Sequence, residues 1–324
     1  MFNSNSNGII AFYEKFFYSL EFSGEKERTQ EFISKAIILG IDAFDKKIVD
    51  KYYTSPFFIE HRILQYILSQ QKLTIGIQYG SIYSRQMNAT SGNKDGNTCI
   101  LVDELLQFTL LSFLYTVFSL INEMSVENCT RCIKNCFVFL DLQGQQKTIG
   151  FHNYDELKDM LMLPTNLMHM ASDAYWMVWT FIVGHELYHL QSDQMLYSYH
   201  EEIAADTYAY KLLLEMIKEQ KEGSIPDELH VFSEHLYLAL IMFFEYFRFL
   251  DFYKELCGQD VFHACHPSPS DRINNIFSLH DYVPENIDTE TGNSILNSFL
   301  DAIDYLREQI KIKKLKGKLE IGQF

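Results

Sequence analysis

The spacing of apolar residues changes several times along the chain, and the first pattern it shows is helical. Near the start, aromatic and aliphatic side chains recur every three to four positions, at Phe12, Phe16 and Leu20 and again from Phe32 to Phe44. This spacing is typical of amphipathic helices that bury one face. We therefore predict a helical N-terminal region over residues 1–86.

Short stretches with strand-like alternation follow. In KLTIGIQYGSIYS, residues 72–84, Ile75 and Ile77 alternate with small or polar residues, which predicts a half-buried strand. Residues 136–153 predict two strands joined by a turn, and an exposed strand edge there could hold an extended peptide. Residues 87–98, MNATSGNKDGNT, are polar and lack an apolar face, which predicts a linker and a soft domain boundary.

Long apolar runs predict buried helices in the rest of the chain. The uncharged run LLQFTLLSFLYTVFSLI, residues 105–121, is at the lower length limit for crossing a bilayer and contains polar residues such as Gln107. We interpret it as a buried core helix, with a single membrane span as the alternative. The run 236–250 is interrupted by charges, including Glu245, and indicates a core helix. From Ser172 onward, helices dominate the pattern, and Ser172 and Asp173 are predicted to cap a helix that runs through Trp176 and Phe181.

Composition and charge narrow the possible partners. The chain has 324 residues, 47% of them hydrophobic, which suffices for a substantial core without disulfides. A net charge of −16 excludes a broad basic face that could bind nucleic acid. The sequence does not indicate an oligomeric state. The uneven cysteines and the absence of a basic N-terminal flank indicate a reducing cytoplasm. We interpret the cysteines as ordinary thiols, with a structural metal as the alternative for the first cluster: Cys129, Cys132 and Cys136.

Candidate chemistry is concentrated in FIVGHELYHLQSD, residues 181–193. On a helix, His185 and His189 lie one turn apart on the same face, so their ring nitrogens can converge on one ion. Glu186 beside them can hold a water molecule. The motif alone is also compatible with two histidines in an ordinary core, so a further ligand is needed to support a metal site.

That ligand is predicted in HEEIAADTYAY, residues 200–210. Glu202 and Asp206 lie four apart on a helix face that is otherwise apolar, with alanines that allow a neighbouring helix to approach closely. A buried acid needs a charge partner, which favours Glu202 as the third metal ligand and Asp206 as the acceptor for the far nitrogen of a ligand histidine. Glu201 is better placed as a solvated neighbour, and His200 is an alternative third ligand.

Together these residues supply two imidazoles and one carboxylate with an open fourth position, which is typical of catalytic zinc. The sequence therefore predicts a zinc cofactor and metal-assisted hydrolysis, with Glu186 as general base.

Three segments resemble those of the gluzincin metallopeptidases, within them the HtpX-like and CAAX-prenyl-protease-like group. They are HELYH at 185–189, EIAAD at 202–206 and HPSPSDRI at 266–273, in the order that the group shows. Through the HELYH motif and the overall layout, the chain also bears a looser resemblance to Lit-type phage-exclusion proteases. The membrane members of the first group carry several spans, whereas this chain has at most one candidate, so an integral-membrane protease is a poor fit.

The resemblance implies a zincin-like fold and zinc peptidase activity. It also implies roles for five residues: zinc ligands His185, His189 and Glu202, general base Glu186, and Asp206 as the hydrogen-bond partner of a ligand.

The segment HPSPSDRI permits two interpretations that can hold together. Ser270 can cap a final helix that begins at Asp271, with the two prolines shaping its entry. In the functional interpretation, His266 or Arg272 reaches the site and stabilises the oxyanion.

From this we expect an α+β, mainly α protein: a zincin-like catalytic core with a small β-sheet and a helical surround. The expected domains are 1–86, a metallopeptidase domain 99–280 and a helical extension 281–324. The expected function is a selective cytoplasmic zinc metalloendopeptidase acting on a protein or peptide, without nucleic acid or membrane. The alternatives are a catalytically silent binding or sensing module with this fold, and a zinc hydrolase of a non-peptide amide or ester.

Overall fold

The computed structural model describes ten stretches of the chain: residues 66–67, 77–82, 88–94, 97–121, 165–192, 198–223, 236–256, 258, 266–279 and 289–315. Most of the predicted N-terminal helices, the strand pair predicted at 136–153 and the first cysteine cluster lie outside these residues.

The chain divides into two compact units, one that includes a small sheet and one that includes most of the helical residues from Phe108 onward. The sheet has the order β1-β3-β2, with β1 (Ile77–Ile82) parallel and β2 (Ala89–Lys94) antiparallel to the central β3 (Asn97–Asp103). Ile100 and Val102, two apart on β3, are fully buried on one face. The strand predicted around Ile77 is thus present as β1.

The prediction of a linker over residues 87–98 was wrong, because β2 and the start of β3 lie there. Strand β2, ATSGNK, has almost no apolar side chains and is held by backbone pairing to β3, from Ala89 opposite Val102 to Lys94 opposite Asn97. The sequence did carry a signal for this hairpin, since Asp95-Gly96 is a dipeptide favoured in two-residue hairpin turns.

Helix α1 (Glu104–Ile121) follows β3 directly and confirms the predicted core helix. Its buried residues recur at helical spacing: Leu106, Leu110, Phe113, Leu114, Val117 and Phe118. Phe113 is fully buried, and its ring lies 5.5 Å from that of Tyr246 and 6.2 Å from that of Phe299. In the described part of the chain, no helix combines the length and hydropathy that a bilayer crossing requires.

Helix α2 (Thr165–Gln191) carries the HELYH motif in its last turns. The predicted caps Ser172 and Asp173 were wrong, because the helix begins seven residues earlier and both lie inside it. The preceding Leu, Met and Ala residues favour helix, so the pattern extends past the polar pair. Residues 176–187 are buried without interruption, which makes the second half of α2 a core helix.

Helix α3 (Tyr199–Lys221) begins with a capping box, in which Ser198 Oγ accepts a hydrogen bond from the amide of Glu201 and Glu201 accepts one from the amide of Ser198. Its buried face confirms the helical phase predicted from the sequence. This face contains Glu202, Ala205, Asp206, Ala209, Leu213 and Met216.

Helix α5 (Pro269–Leu279) packs against both α3 and α4 (Leu236–Leu256). Its cap is Ser268, whose Oγ accepts from the amide of Asp271 while the Asp271 carboxylate accepts from the amide of Ser268. The predicted cap Ser270 was therefore wrong, and Pro269 takes the first helical position, where its fixed φ suits the helix.

Helix α6 (Thr289–Leu315) packs against α4. Arg307 on α6 donates from Nη2 to Oε2 of Glu245 on α4 at 3.1 Å, and Arg248 donates to the other oxygen of the same carboxylate. Glu245 is 2% exposed, so the two arginines satisfy a buried charge. The described residues are mainly α, as predicted.

Candidate metal centre

The close approach of α2 and α3 begins at a glycine. A Cβ atom placed on Gly184 would lie 3.2 Å from both Cα and Cβ of Ala209, and 3.1 Å from Cδ2 of Leu212. These distances are shorter than ordinary van der Waals contact, so the backbone of α2 lies directly against Ala209 and the side chain of Leu212 on α3. The next residue on α2 is His185, whose ring therefore reaches the acidic face of α3.

Three side chains of these helices form a group able to hold a metal ion. His185, His189 and Glu202 each offer one ligand atom, and these atoms all lie within 4.8 Å of one another. His185 and Glu202 are buried and His189 is half-buried, so most of the group is shielded from solvent. The three metal ligands predicted from the sequence are thus brought together.

The ring of His185 lies between two carboxylates. Its Nε2 is 3.4 Å from Oε2 of Glu202, and its Nδ1 is 2.9 Å from Oδ1 of Asp206. If Nδ1 carries the proton and donates to Asp206, then Nε2 is left free to bind an ion beside Glu202. This is the arrangement predicted for Asp206.

The surroundings of His185 strongly favour positive charge at this point. Burial by itself would lower the pKa of His185, but the hydrogen bonds to Asp206 and Glu202 outweigh burial and raise the pKa to about 9. Burial would raise the pKa of Asp206, yet the neighbouring Arg272 guanidinium holds it below its ordinary value. The ionised Asp206 carboxylate therefore favours positive charge at this ring, which is the electrostatic condition that a bound cation requires.

Arg272 lies beside both Asp206 and the histidine, and its Nη2 is 3.5 Å from Nδ1 of His185. Its Nε donates to Oδ2 of Asp206 at 2.7 Å and its Nη2 donates to Oδ1. This bidentate pairing satisfies both oxygens of a carboxylate that is fully buried. Arg272, predicted as an oxyanion donor, therefore contacts Asp206, which is the hydrogen-bond partner of the ligand His185.

His266, the other predicted oxyanion donor, lies beside the third ligand. Its Nδ1 is 3.1 Å from Oε2 of Glu202, and its side chain is 52% exposed. Of the two predicted oxyanion donors, His266 therefore has the more exposed side chain, since that of Arg272 is 17% exposed. A group that reaches the site from solvent can meet an incoming molecule.

The remaining predicted residues take distinct places. Glu186 is buried beside the first ligand at 7% exposure. His200, the alternative third ligand, is exposed in the first turn of α3, and the ligand group in the described residues contains Glu202 instead. Glu201 serves the capping box rather than the ligand group.

Two features that position the site were missed from the sequence. The Arg272 guanidinium carbon lies 4.6 Å from the ring centroid of Phe244 on α4, so an aromatic face supports the cation. Gly184 was likewise missed. Its place directly before the first ligand histidine was the available signal for a close helix contact, which the structure shows with Ala209.

The chain matches no family model, no curated protein and no solved structure. The resemblance to gluzincins therefore stays a prediction that rests on the three motifs.

Proposed function

We propose that this protein is a zinc-dependent metalloendopeptidase with a zincin-like core. The observation that carries the proposal is the convergence of two imidazoles and a buried carboxylate within 4.8 Å of one another, on the two helices that carry HELYH and EIAAD. Two nitrogens and one carboxylate oxygen suit zinc, and three protein ligands leave a position for substrate or water.

His185, His189 and Glu202 would hold the ion. When bound, the ion would supply Lewis-acid polarisation of the scissile carbonyl and would lower the pKa of a nearby water. The chain's own residues handle the protons. Glu186, adjacent in sequence to the first ligand, takes one proton from the attacking water, whose hydroxyl bonds to the carbonyl carbon. Glu186 then delivers that proton to the leaving nitrogen as the C–N bond breaks, which gives a carboxylic acid and a free amine.

His266 is our candidate for stabilising the oxyanion that develops on the substrate carbonyl. Its ring lies at Glu202 and is half-exposed, so it is placed to donate a hydrogen bond to a substrate that enters from solvent. Arg272 was predicted for the same role, but its Nε and Nη2 donate to Asp206. We therefore favour His266 over Arg272 as the donor.

We further propose that the substrate is a protein or peptide and that the enzyme acts in the cytoplasm without nucleic acid. The acidic net charge of −16 disfavours a phosphate backbone as partner. The intact Glu186 favours a peptidase over a silent binding module, because a site without turnover needs no base beside an open coordination position.

The test measures bound zinc and cleavage in the same samples. Four purified proteins are compared: wild type, Glu186→Gln, Glu202→Gln and, as matched control, Glu201→Gln, which keeps a side chain able to complete the capping box. Zinc is measured by atomic emission and cleavage with a proteome-derived peptide library.

We expect wild type and Glu201→Gln to bind one zinc and to cleave the library. Glu202→Gln should bind zinc at least about tenfold more weakly, and Glu186→Gln should retain zinc and cleave nothing. A wild type without zinc, or a Glu186→Gln variant as active as wild type, contradicts the proposal.

A further inference from the structure

Arg272 connects three helices around the candidate metal centre. It belongs to α5, it donates through Nε and Nη2 to both oxygens of Asp206 on α3, and its guanidinium rests on the ring of Phe244 on α4. Only 17% of its side chain is exposed. The Asp206 carboxylate and the Phe244 ring therefore hold the buried guanidinium in a fixed orientation.

Contacts between aromatic rings connect Phe244 with α2, the helix that carries His185 and His189. The ring centroid of Phe244 lies 5.9 Å from that of Phe181, and Phe181 lies 6.4 Å from the ring of His185, one turn later on α2. Besides the direct approach of Arg272 Nη2 to Nδ1 of His185 at 3.5 Å, two routes connect Arg272 with this ring: the Asp206 carboxylate and the two phenylalanine rings. Both routes bear on the orientation of the same imidazole.

We propose that Arg272 is a positioning residue for the metal centre, held in place by Phe244. The guanidinium fixes the plane of the Asp206 carboxylate, which directs Oδ1 at Nδ1 of His185 and leaves Nε2 facing Glu202. The inference rests on the proposed metal site and assigns to Arg272 a role different from that of an oxyanion donor.

The geometry requires arginine rather than any cation. Nε and Nη2 form a fork that matches two carboxylate oxygens at once, whereas a lysine ammonium is a point charge that satisfies one direction. Replacing Arg272 with lysine keeps the positive charge beside Asp206 but releases the carboxylate to rotate. Charge and orientation can therefore be separated by one substitution.

A matched control exists elsewhere in the helical unit. Arg307 also has 17% of its side chain exposed and also donates to a buried acid, Glu245, which is 2% exposed. Arg307→Lys should weaken that ion pair as Arg272→Lys weakens the pair with Asp206. Of these two acids, Asp206 contacts a ligand histidine, whereas Glu245 pairs with arginines.

The experiment titrates wild type, Arg272→Lys and Arg307→Lys with Co²⁺, which gives visible absorption bands that report ligand geometry. Affinity is measured by competition with a chelator, and thermal unfolding is recorded without added metal. We expect Arg272→Lys to bind Co²⁺ about 10- to 100-fold more weakly, with altered bands. Arg307→Lys should lose thermal stability while its affinity and bands stay as in wild type.

Each other outcome is decisive. If Arg272→Lys has the affinity and bands of wild type, the positioning role is overturned while the metal site stands. If both lysine variants lose affinity in proportion to their loss of stability, Arg272 is merely structural and the proposal is also overturned. A wild type that binds neither Co²⁺ nor zinc overturns the proposed function, and this inference with it.

A second pair of variants covers the case in which Arg272→Lys does not fold. Phe244→Leu removes the ring beneath the guanidinium but keeps an apolar side chain in the core, and Phe243→Leu makes the same change at the neighbouring buried ring. We expect a severalfold loss of Co²⁺ affinity for Phe244→Leu and no loss for Phe243→Leu. Equal affinity in the two variants would overturn the role given to Phe244 and Arg272.

Discussion

Nδ1 of His185 lies 2.9 Å from Oδ1 of Asp206, on the side of the imidazole opposite the nitrogen that faces Glu202. One helix supplies the ring, and the other supplies both the carboxylate that orients it and the carboxylate that shares the candidate ion. Because Asp206 and Glu202 are one turn apart on α3, a single helix crossing sets both distances.

Asp206→Asn should weaken the metal site and the fold together. The amide keeps one acceptor oxygen, but its NH₂ group meets the donors of Arg272, so a buried guanidinium loses its counter-charge. We expect zinc affinity to fall about tenfold and the free energy of unfolding to fall by about 3 kcal/mol, measured by chelator competition and urea unfolding. Asp304→Asn, at an acid that is 74% exposed, should change neither quantity; equal effects of the two substitutions would contradict the prediction.

Gly184→Ala should separate α2 from α3. The added methyl group would lie 3.2 Å from the backbone of Ala209, which belongs to a helix and cannot yield as a flexible side chain can. We expect a loss of about 1–3 kcal/mol in unfolding free energy and a measurable loss of zinc affinity. Glu215→Ala, on the exposed side of α3, is the control and should leave both unchanged. An alanine variant with wild-type stability and affinity would show that the crossing tolerates a side chain.

Ser268→Ala should destabilise the protein by about 1 kcal/mol, because the Asp271 amide loses its capping acceptor. The matched substitution Ser270→Ala lies inside α5 at an exposed position and should change stability by less than about 0.5 kcal/mol. Thermal or urea unfolding of the two variants checks the assignment. A larger loss of stability in Ser270→Ala than in Ser268→Ala would identify Ser270 as the cap.

Zinc should stabilise the folded protein. A ligand that binds only the folded state, present at 100 times its dissociation constant, adds about 2.7 kcal/mol to the unfolding free energy. We expect the unfolding temperature of wild type to rise on addition of zinc and to fall with a chelator, while that of His189→Ala responds weakly because one of three ligands is missing. A response of His189→Ala equal to that of wild type would remove His189 from the ligand group.

Much of the helical pattern and of the ligand group could be predicted from the sequence, because both depend on short-range spacing. The phase of α3 follows from apolar positions three and four apart, and it places Glu202 and Asp206 on the buried face. Helix ends were less predictable. Ser172 and Ser270 look like caps in sequence, but good helix formers before the first, and Ser268 with Pro269 before the second, move the true starts upstream.

The partners of Arg272 could not be predicted. Arg272 is 66 residues from Asp206, and no local rule connects them. The ring of Phe244 sits among several aromatic residues of α4, and only the packing of α4 against α5 selects the one that supports the guanidinium. Strand β2 was missed for a related reason, since its stability comes from backbone pairing and leaves little trace in side-chain hydrophobicity.

The distance along the chain between Asp206 and Arg272 also bears on the order of events during synthesis. A ribosome that has released α3 has made a carboxylate destined for the interior, but its bidentate counter-charge emerges only with α5, 66 residues later. Until then, packing α2 against α3 would bury Asp206 beside His185 but without the guanidinium of Arg272. We therefore expect nascent chains that end before α5 to lack a formed metal site. The proposed peptidase would in this way be inactive while it is still attached to the ribosome.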